Sequence, residues 1–561
     1  MRHRALLFVT YGLLGHVALR PSPLPSQPAP QSSMVPAPHP VYDWLYEQRL
    51  AGRLPAYAYE MRPMTRGTIA AHLARLASRP AELSSGEQRL LRDFRNEFDM
   101  DRLAGNRAFT RDFVTDLPSS FVTAIRERRD PALYAGYSRD STLSGALWVA
   151  VGAGSASYRE GAQAPGAYTT SRAMRAFVNT RWGLGWHLEM DDLWTGGDRE
   201  LVVRHPRYGG ELVKASSSSA YQYESFLSFK ARWVEASLGR GAQALGPGIT
   251  DPLVMREGAP FLGTFRLVLG TPRLNLTYLH SRLYADPVTD TSLAYQGRNI
   301  IRRTAPERHL VQQRVNWQPS DRLTLTAWQS MVYANRGIDL DYLNPALPLV
   351  FAQNIGKGDT DNLMLGADAV LRPWRGTELF GSFLVDDTRD SWGPFEKAAS
   401  FGVQQRLLPG VRVGVGYTMI DPWIYTHYMR LNAYEDRGEF LGPQFGPNTE
   451  ELSARVTAWL PLRTRVMAGV RHQKRGLDPV NAVGVPTACV GGTLRCGNAS
   501  GTVQQRFLGA DINVVRRREL EAYSEIIRGL PFTFSLRDDR VVQGAQLVSN
   551  RYMDLRFRFG Y

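Results

Sequence analysis

Two hydrophobic periods run along the chain, and they change over near residue 130. Before that point apolar residues recur three and four apart, the spacing of one helix face. A first helix is predicted over Val41–Leu50. A second follows Thr65, which reads as an N-cap, with Ile69, Leu73 and Leu76 on one face. A third follows Ser84, where Glu87 completes a capping box and Leu90, Leu91, Phe94 and Phe98 form the buried stripe. Helices this short cannot enclose a large core alone. Residues 41–105 are therefore expected to form a small bundle docked on the larger region.

From about residue 130 the period is two, the repeat of an extended strand. The last strand is the clearest. Met553, Leu555, Phe557, Phe559 and Tyr561 share one face, and Asp554, Arg556, Arg558 and Gly560 share the other. Val411, Val413, Val415 and Tyr417 alternate in the same way with Arg412, Gly414 and Gly416. Further strands are expected at 143–151, 176–182, 184–190, 221–229, 265–269, 274–279, 323–327, 363–371, 379–385, 456–460, 466–470 and 503–512. The region fits a transmembrane antiparallel β-barrel of about 18 strands over residues 130–561, with about 24 residues for each strand and its connection. Apolar faces would then meet lipid and polar faces the lumen. Tyr134, Tyr137, Trp182, Trp328, Trp374, Tyr425, Tyr428 and Tyr552 stand near strand ends, where interfacial girdles are expected. If the last strand runs toward the side of the N-terminal bundle, the loop near Asp538–Gln543 lies on the far side. A tight turn near Arg516–Arg518 would put the 475–500 loop there too; splitting 519–536 into two strands would reverse that second placement.

Bulk composition hides this reading. The chain has 561 residues with 43% hydrophobic content, and its mean hydropathy is −0.29. No internal run reaches the roughly 20 apolar residues of a membrane helix. Arg2, Arg4 and the apolar stretch Ala5–Leu19 read as a signal peptide over 1–20. Eight prolines between Pro21 and Pro40 read as an extended linker. Cys489 and Cys496 are the two cysteines, and export to an oxidising compartment would join them in a disulfide. The net charge of +14 is carried by Arg, with Lys only at positions 214, 230, 357, 397 and 474. Arg in excess suits an acidic polysaccharide or lipopolysaccharide; a genome rich in Arg codons accounts for it equally well. Export argues against nucleic acid as the partner.

The sequence offers no catalytic set. Asp359 and Asp361 lack the other ligands of a calcium loop, and Gly356-Lys357-Gly358 lacks phosphate-loop spacing. Asp386 and Asp387 would point to opposite faces of a strand. The histidines have no metal spacing. No cofactor and no metal is expected.

Four polar stretches resemble the Wzi family of outer-membrane capsule-assembly proteins. They are Val41-Tyr-Asp-Trp-Leu45 with Arg62-Pro-Met-Thr-Arg-Gly67; Leu245-Gly-Pro-Gly248 with Asp251-Pro-Leu253 and Ala259-Pro-Phe261; Leu343-Asn-Pro345 with Gly358-Asp-Thr-Asp-Asn362 and Gly366-Ala-Asp368; and Leu441-Gly-Pro-Gln-Phe-Gly-Pro-Asn448. Leu245 stands where that family commonly has Trp. The resemblance implies an outer-membrane barrel with a periplasmic helical bundle. It also implies a non-catalytic role in binding capsular polysaccharide or exopolysaccharide at the cell surface. The other partners expected are outer-membrane lipids and, during biogenesis, the barrel-assembly machinery. Candidate glycan loops are 286–303, 386–397 and 475–500, with Arg302, Arg303, Trp392 and Lys397 as candidate contacts. A pore for anions and a glycan- or lipid-modifying enzyme remain the alternatives.

Overall fold

The computed structural model describes residues 31–105, 126–138, 140–160, 166–197, 213–214, 219–285, 288–295, 298–304, 306–354, 360–386, 396–427, 429–478, 507–509, 511–543 and 546–559. The signal-peptide segment, Trp392, Cys489 and Cys496 lie outside them.

Eighteen antiparallel strands close into a barrel. The first nine are β1 Leu143–Glu160, β2 Gly166–Thr180, β3 Leu184–Gly197, β4 Ser219–Lys230, β5 Val234–Gly241, β6 Leu262–Gly270, β7 Leu274–Leu283, β8 Arg308–Ser320 and β9 Leu323–Ala334. The rest are β10 Asn362–Leu371, β11 Thr377–Asp386, β12 Glu396–Leu408, β13 Val411–Ile420, β14 Thr449–Leu460, β15 Thr464–Leu477, β16 Asp511–Ile527, β17 Leu530–Gln543 and β18 Gln546–Phe559. β18 pairs with β1 from Val151 upward and closes the ring. Below that point Tyr134–Tyr137 pairs with Ser144–Leu147, so this part of the β1 edge is also hydrogen-bonded. At one end of the barrel the connections are two to five residues long; at the other most are far longer. Short turns on one side and long loops on the other are typical of membrane barrels.

The outside is apolar and the wall's inner face is largely polar. Val151, Leu227, Phe383, Phe401, Leu452, Val470 and Phe557 are exposed large apolar residues on the outer face. Ser228, Thr277, Arg314, Asp368, Ser400, Arg412 and Asp554 alternate with such residues and are buried. Trp182, Trp233, Trp317 and Trp374 stand exposed beside the short turns. On β3, Trp186 and Trp194 are exposed on one face and span ~26 Å of strand, a length that suits a tilted membrane crossing. Two expected girdle residues point the other way. Trp328 faces inward and donates its Nε1–H to Asp368, and Tyr425 lies buried in a loop inside the barrel.

Among the described residues, the α-helices α1 Pro40–Leu50, α2 Arg66–Ala77, α3 Ser85–Phe98 and α4 Met100–Gly105 precede the barrel. Thr65 caps α2, and Ser84 with Glu87 forms the capping box of α3. Trp44, Leu45, Leu73, Leu90 and Phe94 share one core with Trp459 of the wall. The segment 31–39 is packed, not an extended linker: the Ser33 N–H donates to Asn179, the Ser228 hydroxyl donates to the Ser32 carbonyl, and Met34–Val35 pairs with Met64–Thr65.

A seam of ion pairs fixes this helical plug across the short-turn end. Arg463 reaches Glu97 at 2.6 Å, Arg406 reaches Glu87 at 2.9 Å, and Arg49 of the plug reaches Glu378 at 2.7 Å. Arg412 bridges Asp43 and Glu47. Glu97 is the hub, with His39, Arg175, Arg463 and Arg528 all within 3.5 Å. Burial would raise its carboxyl pKa, but Arg463, His39 and Arg528 hold it well below the usual carboxylate range.

Strand ends differ from the sequence expectations at the C-terminal side. Arg516–Arg518 lies in the middle of β16, not in a turn; the turn is at 528–529. Asp538–Gln543 belongs to β17, and β18 begins at Gln546. The segment expected at 503–512 is strand only from Asp511. Charged residues inside these strands mimic turns because both faces of the upper strand are polar.

Removing one partner of a buried pair costs on the order of 3–5 kcal/mol. Glu97→Ala should therefore loosen the plug, seen as a lower unfolding temperature in detergent and faster proteolysis within residues 31–105. Because the native Glu97 pKa is depressed, its stabilisation is complete above its ordinary value of 4.5 and falls as pH drops below it. The wild-type chain should lose more stability than Glu97→Ala on that acid limb.

Candidate functional site: the long-loop end

Three loops of the long-loop end leave the rim and pack against the barrel. The loop 242–261 descends inside the lumen. Ala244–Leu245 pairs with Met61–Arg62 of the plug, and the Gly246 N–H donates to the Glu60 carbonyl. Ile249 lies against the wall at Gly414 and Gly416; a Cβ at either would sit 2.7 or 2.8 Å from it. Thr250 donates to Glu451, and Arg471 stands 3.7 Å from Asp251. The small face seen on β13 in the sequence is therefore the seat of this loop.

The second loop, 421–448, forms a strap across the upper lumen. Leu441, Tyr425 and Tyr434 join Leu253 and Met255 of the first loop in one apolar cluster with Leu279, Leu310, Trp328, Met364 and Leu384 of the wall. The Arg256 N–H donates to the Leu441 carbonyl, and the Tyr434 and Tyr425 hydroxyls donate to the Val254 and Leu253 carbonyls. Arg308, fully buried, holds the strap from the wall through Glu435 and the carbonyls of Leu431 and Ala433. Burial pushes the Asp436 carboxyl up to about 6; it accepts the Tyr284 N–H at 2.5 Å. A cavity of about 30 Å³ between plug and wall, lined by Arg49, Glu60, Pro247 and Asp368, has room for a water or two and none for a sugar ring.

The third loop folds over the outside. Residues 336–353, with a short helix Leu349–Gln353, cover Tyr278, Val311, Met331 and Tyr333 of the outer face. Gln313 donates to the Asn344 and Leu347 carbonyls, and Gln329 accepts the Leu349 N–H. Asp361 is taken up by Arg336 and the Tyr342 hydroxyl, so it anchors this flap and not a cation. Asp359 lies outside the described residues. Among those residues no group of three or more His, Cys, Asp or Glu is placed to hold a metal.

The strap presents Arg430 and Arg437 at the far surface. Tyr284, the first residue after β7, has two guanidinium groups near its ring: Arg437 is 4.8 Å from the centroid and Arg282 is 5.6 Å. An aromatic ring with two guanidinium groups beside it suits an acidic sugar, which brings both an apolar ring face and a carboxylate. Arg302 and Arg303 lie on the hairpin Val288–Tyr295/Arg298–Thr304 that leaves the barrel just beyond Tyr284. Their side chains fall outside what is described. Lys397 is exposed at the upper end of β12, with its N–H donating to Asp421. Three strands separate β12 from the foot of the hairpin at β8, so Lys397 and the hairpin are not brought together by the fold. Sequence reasoning missed Tyr284, Arg282 and Arg437, because no local motif joins a strand end to a strap about 150 residues later.

Fold and site together define a transmembrane β-barrel occluded from within by its own chain. The chain belongs to the Wzi family: the model of that family, described as capsule assembly protein Wzi, matches residues 153–506. The solved structure of Escherichia coli Wzi, described as an outer-membrane, carbohydrate-binding β-barrel involved in group 1 capsule assembly, aligns over 93% of this chain and 99% of that one. Identity is 13% and the TM-score 0.54, which shows a shared fold. Acinetobacter baumannii OccAB4 aligns at 8% identity over 74% of this chain and 98% of its own, with a TM-score of 0.42. Pseudomonas aeruginosa OprD aligns at 10% identity over 77% and 98%, with a TM-score of 0.39. These last two scores are too low to carry an argument. A search of curated protein sequences finds no match.

Arg308→Ala removes a buried cation, leaves the Glu435 carboxylate without that counter-charge and takes a donor from the Leu431, Tyr284, Ala433 and Glu435 carbonyls, a cost of about 3 kcal/mol or more. Amide exchange across residues 431–441 should accelerate by at least about a hundredfold while exchange in β13 and β14 stays unchanged.

Proposed function

We propose that this protein sits in the bacterial outer membrane with its helical plug in the periplasm. There it binds an acidic capsular polysaccharide or exopolysaccharide at the long-loop end, without catalysis, and helps attach the polymer to the cell. The observation that carries this reading is the closure of the lumen from both directions, combined with the Arg282–Tyr284–Arg437 cluster on the far surface. A polymer met at that surface finds the described lumen filled by plug, inner loop and strap, so retention is the chemistry the surface supports. Family membership and the likeness to a carbohydrate-binding barrel point the same way.

The test is retention of fluorescent acidic polysaccharide by the purified full chain in detergent. Tyr284→Ala and Arg437→Ala should each weaken binding by about tenfold, the change that accompanies ~1.4 kcal/mol. The product mixture should show no cleavage or modification of the polymer. Deletion of the gene should lower cell-attached capsule while polymer continues to be secreted. Unchanged binding in both variants would overturn the assignment of the cluster.

A further inference from the structure

The outer face of the wall carries a charge asymmetry that neither barrel closure nor the strap explains. On β10 to β13, the outward residues about eight positions above the short turns are Leu363, Val385, Ala399 and Met419. On β15 to β18 the outward residues eight to eleven positions above the turns are His472, Arg516, Arg518, Asp538, Arg540 and Arg551, with Arg159 of β1 beside them, and all but Asp538 are basic. His472 lies directly opposite Arg516, and Arg516 lies opposite Arg540. One step lower, Arg518 lies opposite Asp538, Asp538 opposite Arg551, and Arg551 opposite Arg159. Immediately beneath, the register is apolar: Leu520 opposes Leu536, and Leu536 opposes Met553.

The counter-charge is small. Asp538 is 3.3 Å from Arg551 and 4.0 Å from Arg540, whose side chains remain 59% and 55% exposed. Arg516 and Arg518 are exposed and have no ion-pair partner among the described residues. Like charges set side by side on a sheet repel. A basic belt on the lipid-facing side of a membrane wall therefore needs an anion from outside the protein.

We propose that this belt binds the phosphates of lipopolysaccharide in the long-loop leaflet, with the acyl chains lying on the apolar band beneath. The belt and the band lie on the same strands and meet without a gap. Their occupant must join phosphate to hydrocarbon across that boundary, as a phosphorylated glycolipid does. Guanidinium forks pair with phosphate oxygens two at a time, which suits Arg over Lys at this level. A soluble acidic polysaccharide would satisfy the charges and leave the apolar band uncovered.

The test uses the full chain purified in neutral detergent and titrated with lipid A, or with the same lipid stripped of its phosphates, read by native mass spectrometry. Lipid A should bind at least about tenfold more tightly than its dephosphorylated form. The quadruple variant Arg516→Gln, Arg518→Gln, Arg540→Gln, Arg551→Gln should lose that preference. Folding is checked by heat-dependent gel mobility. If the quadruple variant does not fold, the pair Arg516→Gln with Arg518→Gln should still lower the preference several-fold. Equal affinity for the two lipids in the wild-type chain would overturn the proposal. So would full retention of the preference in the folded variant, or displacement of lipid A by polygalacturonate, which would make the belt a polysaccharide site.

Discussion

A backbone that crosses hydrocarbon must pair every N–H and C=O within the protein, because no water is there to do so. For strands the only complete solution is a ring, and the rest of this structure follows from that ring. Closure leaves the outer face to lipid, so the apolar residues face out. The β18–β1 seam is the most exposed point of the solution. There the chain uses two segments, β18 above and Tyr134–Tyr137 below, to pair one long strand.

A ring of 18 strands encloses more space than side chains alone can fill. This chain fills it with backbone. The helical plug fills one end, the 242–261 loop descends through the middle, and the strap packs on the inner wall from β6 to β13 at the other. The described interior is therefore occupied in large part by the chain itself. It is polar and ion-paired near the plug and apolar under the strap. Three of the four stretches that resemble the Wzi family, Val41–Gly67, Leu245–Phe261 and Leu441–Asn448, build this filling, and the fourth builds the outer flap. The resemblance thus follows the chain's occlusion of its own barrel.

Much of the fold was legible in the sequence because its strands obey one rule, apolar out and polar in. The alternation of β13 and β18 sufficed to read them. The rule failed where both faces are polar, as at Arg516–Arg518 and Asp538–Arg540, where charge inside a strand passed for a turn or loop. It failed again where the inside is apolar, as at Trp328 and Tyr425, which read as girdle residues and lie within the lumen. The cluster of Arg282, Tyr284 and Arg437 was illegible for another reason. Tyr284 and Arg437 meet only because the strap folds back into the barrel, a contact that no periodicity carries. The hairpin with Arg302 and Arg303 follows Tyr284 along the chain, whereas three strands separate Lys397 from its foot.

The account's central claim is that the barrel is sealed by its own chain. Single-channel recording of the purified full-length protein in planar lipid bilayers tests it most directly. The account predicts insertion without conductance steps above the bare-bilayer baseline in either polarity. Large, ohmic, long-lived steps from the intact chain would contradict it.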